Sequence, residues 1–463
     1  MLTNSSMGIY SSLKQTAQRK VVKKIILSLG DTSNESLYKI AGLFGNLLPG
    51  KNQNKAALEG IKRLIKENHP AVGLIRGIIK DIDPNCRDKF IENFIVNGLL
   101  LNQEKVRMTK EAGSSAPFAV LISPTMRCNL ECIGCYAKDY SRKDDLEIDI
   151  FDKAVSEGEE IGVALFIILG GEPFVAKDKI YEIAKKHNKA YFQVYTNGSL
   201  INEKVAEELK DIGNILPILS IEGFEKETDQ RRGKGTYKKV METMDILKKF
   251  NVPFGYSVVV TSKNADIITS DRFIDLMVEK GAYIGWHFLY MPIGATPDLS
   301  LMPTPEQRKM LRDRWIGVRN SKPLFIVDFW NDAPSVGGCI AGRMYVHINS
   351  SGDVEPCIFT HFSVDNIKNK SLFEIMKSDF FRELRSREPF DENLYMPCMW
   401  IDRPEIGREI CIRHKTHPTH PGAETILYDK KIIRGLEKYS KKMRKIFDPL
   451  WEEEKKKINS KIC

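Results

Sequence analysis

The chain has 463 residues, of which 42% are hydrophobic and 28% are charged, and its net charge is +9 at neutral pH. This length allows about three globular domains of roughly 150 residues each. No run approaches the about 18 consecutive apolar residues that cross a bilayer, so we expect no membrane-spanning helix. A solvated, lysine-rich surface accounts for the positive charge, and we expect no nucleic-acid partner.

The chain has nine cysteines, and eight of them lie beyond residue 100. The first residues, Met1–Ser6, show no charged region followed by an apolar core, so we expect no secretory signal and a cytoplasmic location. In a reducing compartment, cysteines serve metal or redox chemistry more often than disulfide bonds.

Residues 1–115 are predicted to form an all-α domain. Apolar residues recur at helical spacing from Ile9 to Leu29 among lysines and arginines, which predicts a basic amphipathic helix. Further helical patterns cover Ser36–Leu48, Lys55–Lys66, Val72–Ile82 and Arg87–Leu101. The basic helix either packs on its own domain or lies at a membrane surface, so peripheral membrane contact is one hypothesis.

Three cysteines then follow the apolar run Phe118–Ile122. Cys128, Cys132 and Cys135 have the spacing C-x3-C-x2-C. Iron–sulfur clusters are held by thiolates and usually take four, so three close cysteines leave one iron open to another ligand. A zinc knuckle would normally need a second pair of ligands, and a disulfide loop would need an oxidising compartment. We therefore predict a cluster-binding loop.

From residue 116, β-rich runs alternate with helical patterns. The six predicted strands are Phe118–Ile122, Ala164–Leu169, Tyr191–Tyr195, Ile215–Ile221, Pro253–Val260 and Tyr283–Tyr290. This alternation indicates a parallel sheet in an α/β fold, in which functional groups lie at the carboxyl ends of the strands.

Polar motifs occur at those strand ends. Gly170-Gly171-Glu172 follows the second strand, Asn197 follows the third, and Ser220 and Glu222 end the fourth, with Arg232 soon after. Paired glycines let a backbone approach a ligand closely, polar side chains can bind hydroxyl groups, and an arginine can bind a carboxylate through two hydrogen bonds.

The cysteine spacing and these motifs together resemble the radical S-adenosylmethionine (SAM) superfamily. The resemblance implies a partial (β/α)6 TIM-like barrel over residues 116–320, with a 4Fe–4S cluster on the three cysteines and SAM on the fourth iron. It also implies reductive cleavage of SAM to a 5′-deoxyadenosyl radical that abstracts hydrogen from an unactivated carbon. The expected electron donor is a flavodoxin or ferredoxin.

The same resemblance assigns the residues that contact SAM. Gly170, Gly171 and Glu172 would meet the amino group, while Arg232 would bind the carboxylate. Asn197, Ser220 and Glu222 would lie on the ribose or methionine side. Tyr136 is the expected aromatic neighbour of the third cysteine, because Gly134 stands where the family often has an aromatic residue.

Three residues are candidates for catalysis. His287 and Tyr290 lie at the end of the sixth strand, and Asp328 lies on the approach to Cys339, where an acid could accept a proton. Packing explains His287 and Tyr290 equally well, and a turn stabilised by Asp and Asn side chains explains Asp328.

A second set of cysteines begins at residue 339 and comprises Cys339, Cys357, Cys398 and Cys411. The first two have the spacing C-x12-G-x4-C, with Gly352 in a hairpin-turn sequence. This resembles the SPASM or twitch extension, which carries auxiliary clusters. Four cysteines, where a full extension has seven, imply one auxiliary 4Fe–4S cluster in a small domain at 321–420. Its ligands would be Cys339, Cys357 and Cys398; either Cys411 closes the site as a fourth thiolate, or one iron stays open for substrate. A structural zinc on the same thiols is the alternative.

Residues 421–463 are predicted to form a C-terminal basic helix, whose apolar stripe packs on the barrel. The substrate is expected to be a small molecule, a lipid or a peptide. One hypothesis is C–C bond formation on a lipid or other long apolar substrate, and the alternative is a maturase that forms thioether or C–C links in a ribosomal peptide. A non-catalytic iron–sulfur or zinc protein would not need the strand-end motifs.

Overall fold

The computed structural model describes residues 23–24, 26–28, 30, 32–36, 38–39, 59–60, 62–143 and 145–462. The helices predicted at Ile9–Leu29 and Ser36–Leu48 lie mostly outside these residues. Before the first strand, the described helices are Pro70–Asp81, Pro84–Lys89, the π-helix Phe90–Leu101 and Gln103–Glu111.

The centre of the fold is one nine-stranded sheet with the order β7-β6-β5-β4-β3-β2-β1-β8-β9. Strands β1 to β8 pair in parallel, and β9 is antiparallel to β8. The strands are Ala119–Ile122, Leu165–Ile168, Tyr191–Thr196, Ile215–Ser220, Gly255–Val260, Ile284–Leu289, Phe325–Asp328, Tyr345–Ile348 and Val354–Glu355. The six predicted strands are therefore confirmed as β1 to β6 of an open, partial barrel, and the sheet continues across the predicted boundary at residues 320 and 321.

Helices cover the outer face of the sheet. They are Ile148–Ile161, Lys177–Lys186, Glu203–Ile212, Glu225–Arg232, Thr236–Lys249, Ala265–Ile268, Asp271–Lys280 and Pro305–Ser321, with short 3₁₀ turns at Pro173–Ala176 and Leu299–Leu301. The helix Glu203–Ile212 shows why they form. The Asn202 side chain accepts a hydrogen bond from Val205 N, and Gly213 ends the helix at φ +79°. Such a cap is worth about 1 kcal/mol.

Successive side chains of the barrel strands point alternately to the lumen and to the helix layer, so both faces of the sheet are covered. In β6, Trp286 and Phe288 point to the inner face, while His287 and Leu289 point to the outer one. At the amino-terminal end of the barrel, Phe90 of the π-helix packs edge-on against Tyr191 at 5.6 Å and closes the lumen from below. The carboxyl end remains for the functional site.

The C-terminal part wraps the carboxyl end of the barrel. Its elements are the helices Ala333–Val336, Leu372–Met376, Asp379–Ser386, Pro404–Arg413, Thr425–Tyr428 and Lys430–Ile462, and the strand pair Phe362–Ser363 with His417–Pro418. In the last helix, the predicted apolar stripe is buried, with Leu436, Met443 and Phe447 fully covered. No helix among the described residues is long and apolar enough to cross a membrane.

Candidate functional site

The cysteine loop leaves β1 and is held at its start by the Gly-Gly segment after β2. Gly171 N donates to Thr125 O at 3.0 Å, and Glu172 N donates to Arg127 O at 2.8 Å. A Cβ on Gly170 would lie 2.1 Å from Thr125 O, and one on Gly171 would lie 2.3 Å from Arg127 O. The glycines are therefore required because the loop passes directly over them.

The far side of the loop rests on β6 and on the helix Glu225–Arg232. Ile133 N donates to Arg231 O at 2.9 Å. Gly134 has φ +66°, and a Cβ there would lie 2.6 Å from the ring of Tyr290. The ring of Tyr290, the residue that follows β6, thus packs against Gly134, the position where the family often has an aromatic residue. The Tyr290 hydroxyl accepts a hydrogen bond from Asp298 N at 3.3 Å, so this candidate catalytic residue supports the loop.

Cys128, Cys132 and Cys135 line one cavity together with Gly171. Cys128 Sγ accepts a hydrogen bond from Leu130 N at 3.4 Å. Burial raises the pKa of Cys128 to about 11 and also raises the pKa of Cys132, which Arg232 and Arg231 oppose. The three thiols are close enough to act on one another electrostatically, and two guanidinium groups are placed to offset the negative charge of thiolates.

Glu172 is aimed into the protein. Its buried carboxylate accepts hydrogen bonds from Thr196 Oγ1 at 2.7 Å and from Asn197 N at 2.7 Å. The Asn197 side chain donates to Asn129 Oδ1 at 2.8 Å, next to Cys128. The Glu172 side chain joins the ends of β2 and β3, and Gly171 borders the cavity. The assignment of the Gly170-Gly171-Glu172 segment to the amino group of SAM stays a prediction.

Glu222 and Arg232 were assigned separately to SAM, but they bind each other. The Glu222 carboxylate, 1% exposed, accepts from Arg232 Nε at 2.8 Å and from Arg231, and Val259 N donates to its other oxygen at 3.2 Å. Ser220 is half-buried at the end of β4, with its hydroxyl 3.4 Å from that of Ser257. Sequence reasoning missed Arg231, although it directly precedes Arg232.

Tyr136 links the loop to the C-terminal part. Its hydroxyl donates to Gly170 O at 3.3 Å, and Gly170 N lies at the same distance from the hydroxyl oxygen. The ring packs edge-on against Phe359, with a centroid distance of 6.3 Å. Tyr136 therefore fixes the third cysteine between the Gly-Gly segment and the region around Cys357.

The lumen below the loop is lined by aromatic side chains. Trp286 and Phe288 are stacked with centroids 5.9 Å apart, and Tyr195 lies 6.0 Å from Phe288. Phe329 continues this surface to Tyr345, at 5.7 Å. Among the described residues, Trp286 Nε1 has no hydrogen-bond partner although it is buried. The lumen offers an apolar surface with one free donor.

His287 packs on the outer face of the sheet and not at the mouth of the barrel, and Asp328 lies in a turn, which was the alternative for it. The His287 ring stacks on Trp315 of the outer helix at 4.3 Å, and burial lowers its pKa to about 3. Asp328 lies beside His287 on the neighbouring strand β7. The Asp328 carboxylate accepts from Asn331 Nδ2 at 2.6 Å and from the amides of Trp330 and Asn331, and burial raises its pKa to about 6. Both residues are thus turned away from the lumen, and Asp328 stabilises a turn.

The second cysteine set lies next to the lumen, around the hairpin β8–β9. Cys357 Sγ lies 2.8 Å from the hydroxyl of Tyr345 and accepts a hydrogen bond from Phe359 N at 3.4 Å. Cys398 Sγ accepts from Trp400 N at 3.4 Å. Burial raises the pKa values of Cys339, Cys357 and Cys398, and the three thiols act on one another.

Cys411 is not brought into this group. It lies in the helix Pro404–Arg413, is 2% exposed, and belongs to the apolar core. Burial raises the pKa of its thiol to about 12, with Thr416 as the polar neighbour. The spacing of Cys398 and Cys411 suggested a shared site, but the helix that follows Arg403 carries Cys411 into the core instead.

The three thiols of each cysteine set match the donors that iron–sulfur clusters take. Among the residues that the structure describes, no three Cys, His, Asp or Glu side chains are arranged to hold one metal ion. A cluster distributes its thiolates over separate irons, so its ligands need not converge on one point.

Comparisons with known proteins agree with this geometry. A family model described as the radical SAM superfamily matches residues 122–272, and the SPASM model, an iron–sulfur cluster-binding domain, matches residues 339–399. The chain is 26% identical over 307 residues to the AdoMet-dependent heme synthase of Methanosarcina barkeri. The match spans 60% of this chain and 87% of that protein. It is 29% identical over 274 residues to the PqqA peptide cyclase of Bradyrhizobium diazoefficiens, covering 55% of this chain and 70% of that one.

A solved structure shares the fold. SuiB of Streptococcus suis, bound to the precursor peptide SuiA, matches with a TM-score of 0.52 at 18% identity and covers 61% of this chain and 70% of that one. At this identity the likeness concerns the fold alone. Taken with the two family matches and the arrangement of both cysteine sets, it leads to one conclusion: this chain belongs to the radical SAM superfamily, is an enzyme that uses a 4Fe–4S cluster and SAM, and carries a SPASM domain for auxiliary iron–sulfur clusters.

Proposed function

We propose that this radical SAM enzyme oxidises a C–H bond of a peptide that enters the aromatic lumen, as a step in forming a cross-link. One observation carries the proposal: the lumen lined by Trp286, Phe288 and Phe329 lies between the two cysteine sets. A substrate carbon held there has the SAM site on one side and the SPASM thiols on the other.

When loaded with its cluster, the first cysteine set would supply the electron for cleaving SAM to a hydrogen-abstracting radical. Cys128, Cys132 and Cys135 would hold that cluster. The Gly170-Gly171 backbone, Asn197, Ser220 and Arg232 border the place where SAM would bind. Glu172 and Glu222 act indirectly, by fixing Asn197 and Arg232 through hydrogen bonds.

The lumen itself keeps water away from a reactive intermediate and orients the substrate. Its aromatic rings exclude water and can pack against an aromatic or aliphatic side chain. Trp286 Nε1 is a buried donor without a partner among the described residues, so it is free to bind a substrate carbonyl. His287 and Asp328 cannot serve as the base, because their side chains are on the outer face.

A peptide is favoured over a lipid by the comparisons. Two proteins similar to this one are named for peptides: the PqqA peptide cyclase, and SuiB with its precursor peptide. The aromatic lining also suits peptide side chains better than a flexible acyl chain, because stacking rewards flat groups. The SPASM cysteines Cys339, Cys357 and Cys398 would hold one auxiliary cluster, which would accept the second electron of the oxidation.

The test measures deuterium transfer from a labelled substrate to 5′-deoxyadenosine. The full chain is reconstituted anaerobically with iron and sulfide, then given dithionite, SAM and one of three deuterated pools: peptides, lipids or porphyrins. We expect deuterium in 5′-deoxyadenosine from the peptide pool only, and none with the Cys128→Ala/Cys132→Ala/Cys135→Ala variant. Deuterium transfer from lipid or porphyrin alone would overturn the peptide assignment.

A further inference from the structure

The SPASM site is one ligand short when only its cysteines are considered. Cys339, Cys357 and Cys398 act on one another, while Cys411 lies in the apolar core. A 4Fe–4S cluster usually takes four protein ligands. Either one iron of this cluster stays open for substrate, or a side chain that is not a thiol supplies the fourth ligand.

One carboxylate beside Cys339 has an oxygen without a partner. The Glu388 side chain is 3% exposed, and its Oε2 accepts a hydrogen bond from Arg343 Nε. Its Oε1 is buried and has no hydrogen-bond partner in the described part of the chain. A buried polar atom without a hydrogen-bond partner is unfavourable, more so when it is charged, and calls for a specific explanation.

Glu388 is held next to Cys339 by three contacts. Arg343 binds its Oε2 and donates through Nη2 to Cys339 O at 2.7 Å. A Cβ on Gly338 would lie 3.0 Å from Cβ of Pro389, so the two segments are packed together.

The surroundings can accept the charge of an added ligand. Arg343 is bound to Glu388, and Arg385 donates to the carbonyl oxygen of Gly342, the residue before Arg343, at 3.3 Å. Arg385 is fixed by its donation to Met376 O at 2.7 Å. Two cations thus lie where a cluster with three thiolates and a carboxylate would concentrate negative charge, and carboxylates are known ligands of iron.

We propose that Glu388 Oε1 is the fourth ligand of the auxiliary cluster and completes a set with Cys339, Cys357 and Cys398. The proposal rests on the single auxiliary cluster of the proposed function. It requires neither SAM cleavage nor a particular substrate, so it can be tested separately from them.

The test uses the full chain with Cys128, Cys132 and Cys135 replaced by alanine, so that only the auxiliary cluster remains. Glu388→Gln is added to this background, which keeps an oxygen toward Arg343 but removes the carboxylate. After anaerobic reconstitution, we expect the iron content per chain to fall to that of Cys357→Ala in the same background, with loss of the reduced cluster's EPR signal. Glu383→Gln is the matched control, because Glu383 lies nearby and binds Arg413 and His414 instead; it should keep its iron.

Two further variants make the outcome decisive. Cys411→Ser should keep the iron, and loss of iron there would assign the fourth position to Cys411 and overturn the proposal. Glu388→Cys should keep the iron and change the EPR signal, because a thiolate replaces a carboxylate on one iron. Full iron with an unchanged EPR signal in Glu388→Gln or Glu388→Cys would also overturn it. Circular dichroism shows whether Glu388→Gln folds, and if it does not, Glu388→Cys decides.

Discussion

The two cysteine sets use the same ligand chemistry in different surroundings. Around Cys128, Cys132 and Cys135 the loop is open: Ile133 is 59% exposed, and one backbone amide donates to a thiol, Leu130 N to Cys128. Around Cys357 and Cys398 the neighbours are buried. Phe359 N donates to Cys357 Sγ, Trp400 N donates to Cys398 Sγ, and the Tyr345 hydroxyl lies 2.8 Å from Cys357 Sγ. Solvent exposure and hydrogen bonds to sulfur both set cluster potentials. The first site is therefore accessible to solvent and small molecules, whereas the second holds its sulfurs in a fixed set of hydrogen bonds.

The largest effect is expected from Gly134→Ala. The added Cβ meets the Tyr290 ring at 2.6 Å, and alanine disfavours the φ of +66°. The loop must move, and a displacement of about 1 Å can cost about 100-fold in rate. We expect 5′-deoxyadenosine formation to fall by about 100-fold or more, with the SPASM cluster retained by EPR.

A second variant separates the two causes. Gly134→Ala with Tyr290→Ala removes the clash but keeps the backbone strain, so it should recover part of the lost rate of 5′-deoxyadenosine formation. If Gly134→Ala alone forms 5′-deoxyadenosine at the wild-type rate, the support of the loop by Tyr290 is refuted.

The second-largest effect is expected from breaking the buried ion pair beneath the SPASM site. Arg308 Nη1 donates to Asp402 Oδ1 at 2.6 Å, both side chains are fully buried, and Asp402 also accepts from Cys398 N at 3.0 Å. Arg308→Leu leaves a buried carboxylate without its partner, which costs about 3–5 kcal/mol. Chemical denaturation measures this loss. Arg314→Ala, which breaks the exposed pair with Asp271, should change the free energy of unfolding by at most about 0.5–1 kcal/mol.

The two sites should lose iron to a chelator at different rates. A chelator reaches the open loop more easily than the buried hairpin, so we expect iron to leave in two phases. The fast phase should be absent from the Cys128→Ala/Cys132→Ala/Cys135→Ala variant. A single phase in the wild type would show that the two sites are equally accessible.

The smallest effect is expected from Tyr345→Phe. Burial raises the pKa of Tyr345 well above its usual value, so its hydroxyl stays protonated and would donate to Cys357 Sγ when that sulfur binds iron as a thiolate. Losing this hydrogen bond should lower the auxiliary midpoint potential by up to about 60 mV, equivalent to about 1.4 kcal/mol for one electron. EPR-monitored redox titration measures it. Tyr256→Phe is the control, because the Tyr256 hydroxyl is buried without a partner in the described residues.

The sequence predicted the strands and the loop because their signals are local: apolar runs, glycine pairs and cysteine spacing. It could not predict which face His287 occupies. Both faces of a buried parallel strand are apolar, so Trp286-His287-Phe288-Leu289 shows no polar alternation to set the orientation. The pairing of Glu222 with Arg232 was missed for a related reason, because a motif places residues at one strand end without showing which of them bind each other.

Glu388 and Tyr345 carry no sequence signal for their positions. Glu388 reaches Cys339 only through tertiary packing of Gly338 on Pro389, and a carboxylate in a helical, charged stretch resembles an ordinary surface residue. Tyr345 appears as one more aromatic residue in a strand. Such contacts depend on how distant segments meet, and they become visible only in the folded chain.

The pairing of β8 with β1 has a consequence for electron transfer. Ala119 to Ile122 are in register with Tyr345 to Ile348, and Ser123 N donates to Ile348 O at 2.9 Å. The Cys128 loop leaves one of these strands, and the hairpin to Cys357 leaves the other. The tunnelling gap between the two redox centres is therefore set by a sheet and not by a hinge between domains. A chimera that exchanges the SPASM region must also supply a matching eighth strand to preserve that gap.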